Sequence, residues 1–223
     1  MSLLLLMRHG QARFGAAHYD LLTELGERQA VETGVHFARA GSGFDEVLIG
    51  PKQRHAATAS GVLGQLRGAP APVTLAALDE FAEATDILQA APQVCSVTAE
   101  EMPALPRAAQ LRHYDTTIEA WMQGRVRLAG RPSAAEFRTV VVRWLREVVA
   151  RPARSQRLLA VTSAGVIAAA VADVLDLPVE RMAQFTRVLR NASLTEIAFS
   201  AGRVSLLSFN GVTHLPPSLA TGM

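Results

Sequence analysis

The chain has 223 residues, 49% of them hydrophobic and 19% charged, which suffices for a substantial core and excludes both a disordered chain and two full-sized domains. Its 22 basic and 20 acidic residues leave a formal charge of +2, and the arginines are too scattered to make a stripe for a nucleic-acid backbone. The early apolar run, residues 3–7, is far shorter than the roughly 20 residues that span a bilayer, and the single Cys95 excludes an intrachain disulfide or a cysteine-based zinc site. A cytoplasmic protein without membrane or nucleic-acid partners is expected; the oligomeric state is not legible.

In chain order, residues 3–7 read as a buried strand, 26–40 as a helix, 46–49 as a second strand and 53–66 as a helix with Ala56, Ala59, Leu63 and Leu66 on one face. Residues 73–78 read as a third strand. Residues 82–132 break the rhythm with Pro92, Pro103 and Pro106 and a polar helix near 108–123, so they are expected to form a small helical cap inserted within one domain spanning 1–223. Phe137, Val140, Val141, Trp144 and Val148 recur at helical spacing, residues 157–162 read as the fourth strand, and 165–175 form an apolar helix. Residues 194–199 and 204–209 alternate around Ala201-Gly202 as a hairpin. Strands alternating with helices predict an α/β fold, a three-layer α/β/α sandwich around a mostly parallel sheet.

The chemistry is concentrated at the strand ends. Arg8-His9-Gly10-Gln11 follows the first strand, where an open parallel sheet presents its carboxyl ends to a ligand. A histidine there can attack phosphorus through one ring nitrogen if the other is tied to a backbone carbonyl. Gly10 permits close backbone approach, and the Arg8 guanidinium can fork onto phosphate oxygens. After the second strand, Gly50 to Ala59 turns into a helix whose start carries Arg54, a second guanidinium for a phosphate clamp. After the third, Leu78-Asp79-Glu80-Phe81 supplies a carboxyl group able to protonate a leaving oxygen and then activate water. His18, His36 and His113 lack ligand-like spacing, no metal site is suggested, and His55 is expected to turn about 100° away from its neighbour Arg54.

These segments resemble the histidine phosphatase superfamily, the phosphoglycerate-mutase-like fold. Arg8-His9-Gly10 is similar to its signature. Leu22 to Ala30 resembles its Leu-Thr-x-x-Gly-x-x-Gln-Ala segment, and Gly50 to Ala59 its Ser-Pro-x-x-Arg-x-x-x-Thr-Ala. Asn191-Ala192-Ser193 and the stretch from Phe209 to Leu215 resemble its late segments. The resemblance implies that His9 is a phosphohistidine nucleophile, that Arg8 and Arg54 bind phosphate, and that Glu80 is the general acid and base, with Glu83 a weaker claimant. Gly10, Gln11, Ser163 and Ala164 would line the substrate site. The substrate would be a small phosphorylated molecule or inorganic phosphate, with no cofactor and no metal.

Gly50 stands where the family's segment begins with serine, and one further departure matters more. Where its second catalytic histidine belongs, this chain has Thr162-Ser163-Ala164-Gly165. Exchanging a charged donor for a hydroxyl costs on the order of 1–2 kcal/mol, roughly ten- to thirtyfold in rate, so a phosphatase of reduced activity is expected and a histidine restored at 163 should speed it. Ser163 also suits the N-cap of the following helix. Three alternatives stand beside the phosphatase: a phosphate-binding module without turnover, a mutase-type phosphotransferase, and a serine hydrolase pairing Ser163 with the late His214.

Overall fold

The computed structural model describes residues 1–13, 20–151, 155–200 and 202–222. His18 and the Ala201 turn residue of the expected hairpin lie outside the described residues. The elements are β1 (Ser2–Arg8), α1 (Glu24–Arg39), β2 (Glu46–Ile49), α2 (Gln53–Leu63), β3 (Val73–Thr74), α3 (Ala84–Ala90), α4 (Arg107–Met122), α5 (Ala134–Val149), β4 (Arg157–Thr162), α6 (Ala164–Val174), α7 (Met182–Thr186), β5 (Leu194–Ser200) and β6 (Arg203–Gly211). The strands form one sheet in the order β3-β2-β4-β1-β5-β6. The first four run parallel, and β5 and β6 add an antiparallel edge to β1.

β1 is apolar from Leu3 to Met7 because both of its faces are covered. Leu4 and Leu6 pack with α5 and α6, whereas Leu5 and Met7 pack with α1 and α2. The two cores on either side of the sheet make the three layers. Thr23 starts α1 by accepting the Gly26 amide, and Ser133 and Glu136 form a capping box on α5. Residues 82–132 carry α3 and α4, and Trp121 from α4 stacks on Phe81 with ring centroids 4.3 Å apart, inside the core that also holds Phe137 of α5. Among the described residues no helix is long and apolar enough to cross a membrane.

Two expected elements are shorter. The strand expected over 73–78 pairs only through Val73 and Thr74, after which Ala76–Leu78 forms a 3-10 turn. β3 is an exposed edge with one neighbour, so the apolar residues after it satisfy the core by turning inward, and Leu78 is fully buried. α2 ends at Leu63, before the expected Leu66, as the chain closes through Gly64.

Candidate active site

β1, β2 and β4 end on the same side of the sheet, and the turn of Ala76–Leu78 ends beside them. His9 follows β1; its amide donates to the Thr162 carbonyl at the end of β4, while the Gly50 amide beyond β2 donates to Val161. These ladder bonds bring the segments carrying Arg8, His9, Gly50, Arg54 and Ser163 together. Gly10 is required by space: a Cβ there would stand 2.4 Å from the Gly26 carbonyl oxygen. Its amide donates to Thr58 Oγ1 of α2 at 3.0 Å, and Thr58 Oγ1 donates to the Arg54 carbonyl, so the glycine turn and the arginine helix are tied side by side.

His9 is 3% exposed and its Nδ1–H donates to the Gly10 carbonyl at 2.7 Å. That bond selects the tautomer with a bare Nε2 lone pair. Burial, then the charges of Arg8 and Arg54, hold the ring's pKa well below its ordinary value. Arg8 is buried at the end of β1 and donates through Nη1 to the Leu189 carbonyl.

Arg54, 1% exposed, meets two carboxylates: Asp20 at 3.0 Å and Glu83 at 3.2 Å. Asp20 also accepts the Gln53 amide at 2.8 Å, so a protein carboxylate sits at the N-terminus of α2, the place expected to be open to phosphate. Glu83, the weaker claimant for acid chemistry, is shared between Arg54 and Lys52, which lies 3.0 Å from it and is the chain's only lysine.

Glu80 occupies the mouth of α6. One carboxyl oxygen accepts the Phe81 amide at 3.1 Å and the other accepts the Gly165 amide at 3.3 Å. Burial pushes its pKa from 4.5 up to about 7, against the opposing pull of Arg54, these two amides and Arg8. A Cβ at Gly165 would come 2.1 Å from Glu80 Oε1, so the glycine makes the carboxyl's seat. Beside it a small slot is lined by Phe81 and Ala164, by Tyr114, Asp115 and Ile118 of the α4 helix, and by Arg187.

Three residues have partners that the sequence did not indicate. The Gln11 side chain is held by Thr23, whose hydroxyl donates to its Oε1 at 2.9 Å, while the Gln11 amide donates to Gln29; both bonds brace the turn. Ser163 sits at the N-cap position of α6 but makes no side-chain cap bond; its Oγ lies 2.7 Å from His55 Nε2. His55, expected to face away, is fully buried with its ring centroid 5.7 Å from that of His9. The 100° rule counts only rotation about the helix axis, whereas α2 starts so close to β1 and β4 that two neighbouring side chains reach the same edge. His214, the histidine considered for Ser163, instead lies 3.0 Å from Thr33 Oγ1 and packs on His36.

The sequence singled out none of Asp20, Gln29 or Thr58 as functional. Gln29 and Thr58 fall within the segments that resemble the family's, which was the signal available. Among the described residues no group of three or more His, Cys, Asp or Glu side chains is placed to hold a metal ion.

Comparison with known proteins agrees with this architecture. The phosphoserine phosphatase of Entamoeba histolytica, with 3-phosphoglyceric acid bound, is 19% identical; the match covers 97% of this chain and 100% of that one with a TM-score of 0.67. YhfR of Bacillus stearothermophilus is 18% identical over 96% of this chain and 99% of its own, with a TM-score of 0.69. The mycobacterial glucosyl-3-phosphoglycerate phosphatase in complex with inorganic phosphate is 21% identical over 97% and 100%, with a TM-score of 0.65. No curated protein matches the sequence significantly. The family model of the histidine phosphatase superfamily (branch 1) matches residues 4–211, from the first core leucine of β1 to the end of β6. With that match spanning the whole sheet and every strand end described above, the chain belongs to the histidine phosphatase superfamily.

Proposed function

We propose that the protein is a cytoplasmic, metal-independent, acid-phosphatase-like phosphomonoesterase that hydrolyses a small phosphomonoester through a phosphohistidine on His9. The observation that carries this reading is the His9 ring, tied at Nδ1 to Gly10 and kept neutral by burial beside two guanidinium groups, so that Nε2 is a nucleophile where an anion is attracted. Attack by Nε2 forms a P–N bond as the P–O bond to the organic group breaks. The leaving oxygen takes the proton of Glu80, whose pKa of about 7 keeps a substantial share protonated at neutral pH. Water then attacks phosphorus, its proton passes to ionised Glu80, and the P–N bond breaks to release phosphate.

Arg8 and Arg54 balance the phosphoryl charge in this scheme. The α4 residues beside Glu80 make residues 82–132 the segment that selects the organic group. A mutase-type transfer is disfavoured because Ser163 stands where the family's second histidine belongs.

A second reading, a phosphate-binding module without turnover, is favoured by one observation. Asp20 and Glu83 already hold Arg54, so an incoming phosphoryl group competes with two carboxylates. The test is turnover of an aryl phosphate by wild type and His9→Ala, with alkaline-quenched protein assayed for phosphohistidine. Hydrolysis and a transient N-linked phosphate are expected in wild type and neither in the variant. Undiminished turnover in His9→Ala refutes the mechanism, and phosphate binding without turnover in wild type establishes the second reading.

A further inference from the structure

His55 and Ser163 are both buried, hydrogen-bonded to each other at 2.7 Å, and used by no step of the scheme above. Gly50 completes their fit. Its backbone lies against the His55 ring, and a Cβ at that position would come 2.2 Å from Nδ1, so any other residue at 50 would collide with the imidazole. Two of the three touching positions are those where the chain departs from the family pattern: glycine at 50 in place of serine, and serine at 163 in place of histidine. Small residues at both places open the volume that the His55 ring fills.

The ring lies beside the candidate reaction site. It lies 5.7 Å from the His9 ring, and Ser163 immediately follows the Thr162 carbonyl that accepts the His9 amide. Nδ1 stands against the Gly50 backbone, a contact that raises the ring's pKa but falls short of full hydrogen-bond geometry, so Nε2 is the ring nitrogen with a side-chain partner. Beside two arginines that attract an anion, the favoured proton order runs toward the anion.

Resting on the phosphatase reading for its ligand class, we propose that His55 is a positioning residue acting through Ser163. His55 Nε2–H donates to Ser163 Oγ, and the Ser163 O–H is thereby left to donate to a phosphoryl oxygen of the group attacked by His9. The pair is a two-residue donor that replaces one long side chain at the start of α6. Burial, then the charges of Arg54 and Lys52, hold the ring's pKa down to about 3 against the opposing pull of the Gly50 backbone, in keeping with a neutral relay.

Inorganic phosphate is the probe, with affinity read by calorimetry, kcat and KM by aryl phosphate hydrolysis, and folding by thermal midpoint, for Ser163→Ala, His55→Ala, His55→Gln and the double alanine variant. Ser163→Ala and His55→Ala should each weaken phosphate affinity about tenfold, the size of a lost hydrogen bond to a charged acceptor. The double variant should be no weaker than Ser163→Ala, and glutamine, which keeps an N–H near the Nε2 position, should recover most of the His55→Ala loss. If His55→Ala lowers the thermal midpoint but leaves phosphate affinity and kcat unchanged, the ring is packing only and the proposal fails. If Ser163→Ala tightens phosphate binding, the hydroxyl accepts from the ligand side and the proton order is wrong. Wild type that binds phosphate in this pattern without hydrolysis overturns the phosphatase reading alone; wild type that binds no phosphate overturns both.

Discussion

Glu80→Gln isolates the cost of keeping a carboxyl group in the mouth of α6. The folded protein holds Glu80 at about 7, against 4.5 for an ordinary glutamate, because burial penalises its charged form more than Arg54 and two amides favour it. Protonated Glu80 is therefore the form that folding prefers. Its contribution is fully present below pH 4.5 and is lost as pH rises through about 7. One pKa unit is about 1.4 kcal/mol, so the interval corresponds to about 3.4 kcal/mol, an upper bound that partial solvent contact of this half-buried residue lowers toward about 2 kcal/mol. Glutamine does not titrate. Urea unfolding of both proteins at pH 4, 5.5, 7 and 8.5 should show Glu80→Gln gaining about 2–3 kcal/mol relative to wild type from the lowest pH to the highest. Its fixed offset is set by the amide facing two N–H donors. Titration of His9, His55 and His214 cancels in the difference because both proteins contain them. A wild-type-minus-variant difference that stays flat with pH would refute the buried, raised carboxyl and with it the argument for Glu80 as the proton donor.

Two further outcomes follow from crowding at the same strand ends. Gly165→Ala places a Cβ 2.1 Å from Glu80 Oε1 and 2.6 Å from Phe81 Cδ1, and Phe81 cannot yield because it stacks on Trp121. Displacement of the carboxyl by about 1 Å should lower kcat about 100-fold while competitive inhibition by phosphate changes only a few-fold; an unchanged kcat would show that Glu80 is not the acid. Ser163→His, which on sequence alone should raise activity, is expected instead to lower the thermal midpoint without a rate gain, since His55 Nε2 already lies 2.7 Å from Oγ. His55→Ala combined with Ser163→His should recover both stability and turnover, and a tenfold rate gain from Ser163→His alone would show that the space is open.

Much of this protein is determined locally and was legible in the residues. The apolar run of residues 3–7 required cover on both faces, the alternation of strand and helix periods dictated a layered α/β chain, and Arg8-His9-Gly10 at the end of that run marked the edge where an anion would be met. The short β3 was not legible, because an apolar run cannot tell a paired strand from a turn that buries Leu78; only the presence of a single neighbour, β2, decides it. Nor could the sequence assign partners to polar side chains. Ser163 read as a stand-in for the family's second histidine that also suits an N-cap, and His55 as turned away from Arg54, because neither could be judged against the other. Their hydrogen bond joins residues 108 positions apart, and it exists because β2 and β4 are adjacent in the sheet and Gly50 leaves room for the ring. Likewise Arg54 read as an open phosphate clamp, whereas the fold brings Asp20 and Glu83 onto it from two other segments. Residue type and spacing indicated most of the groups that reach the sheet edge, though not His55. Which of them touch is decided by tertiary packing, because a hydrogen bond depends on angstrom-scale distance that sequence separation does not encode.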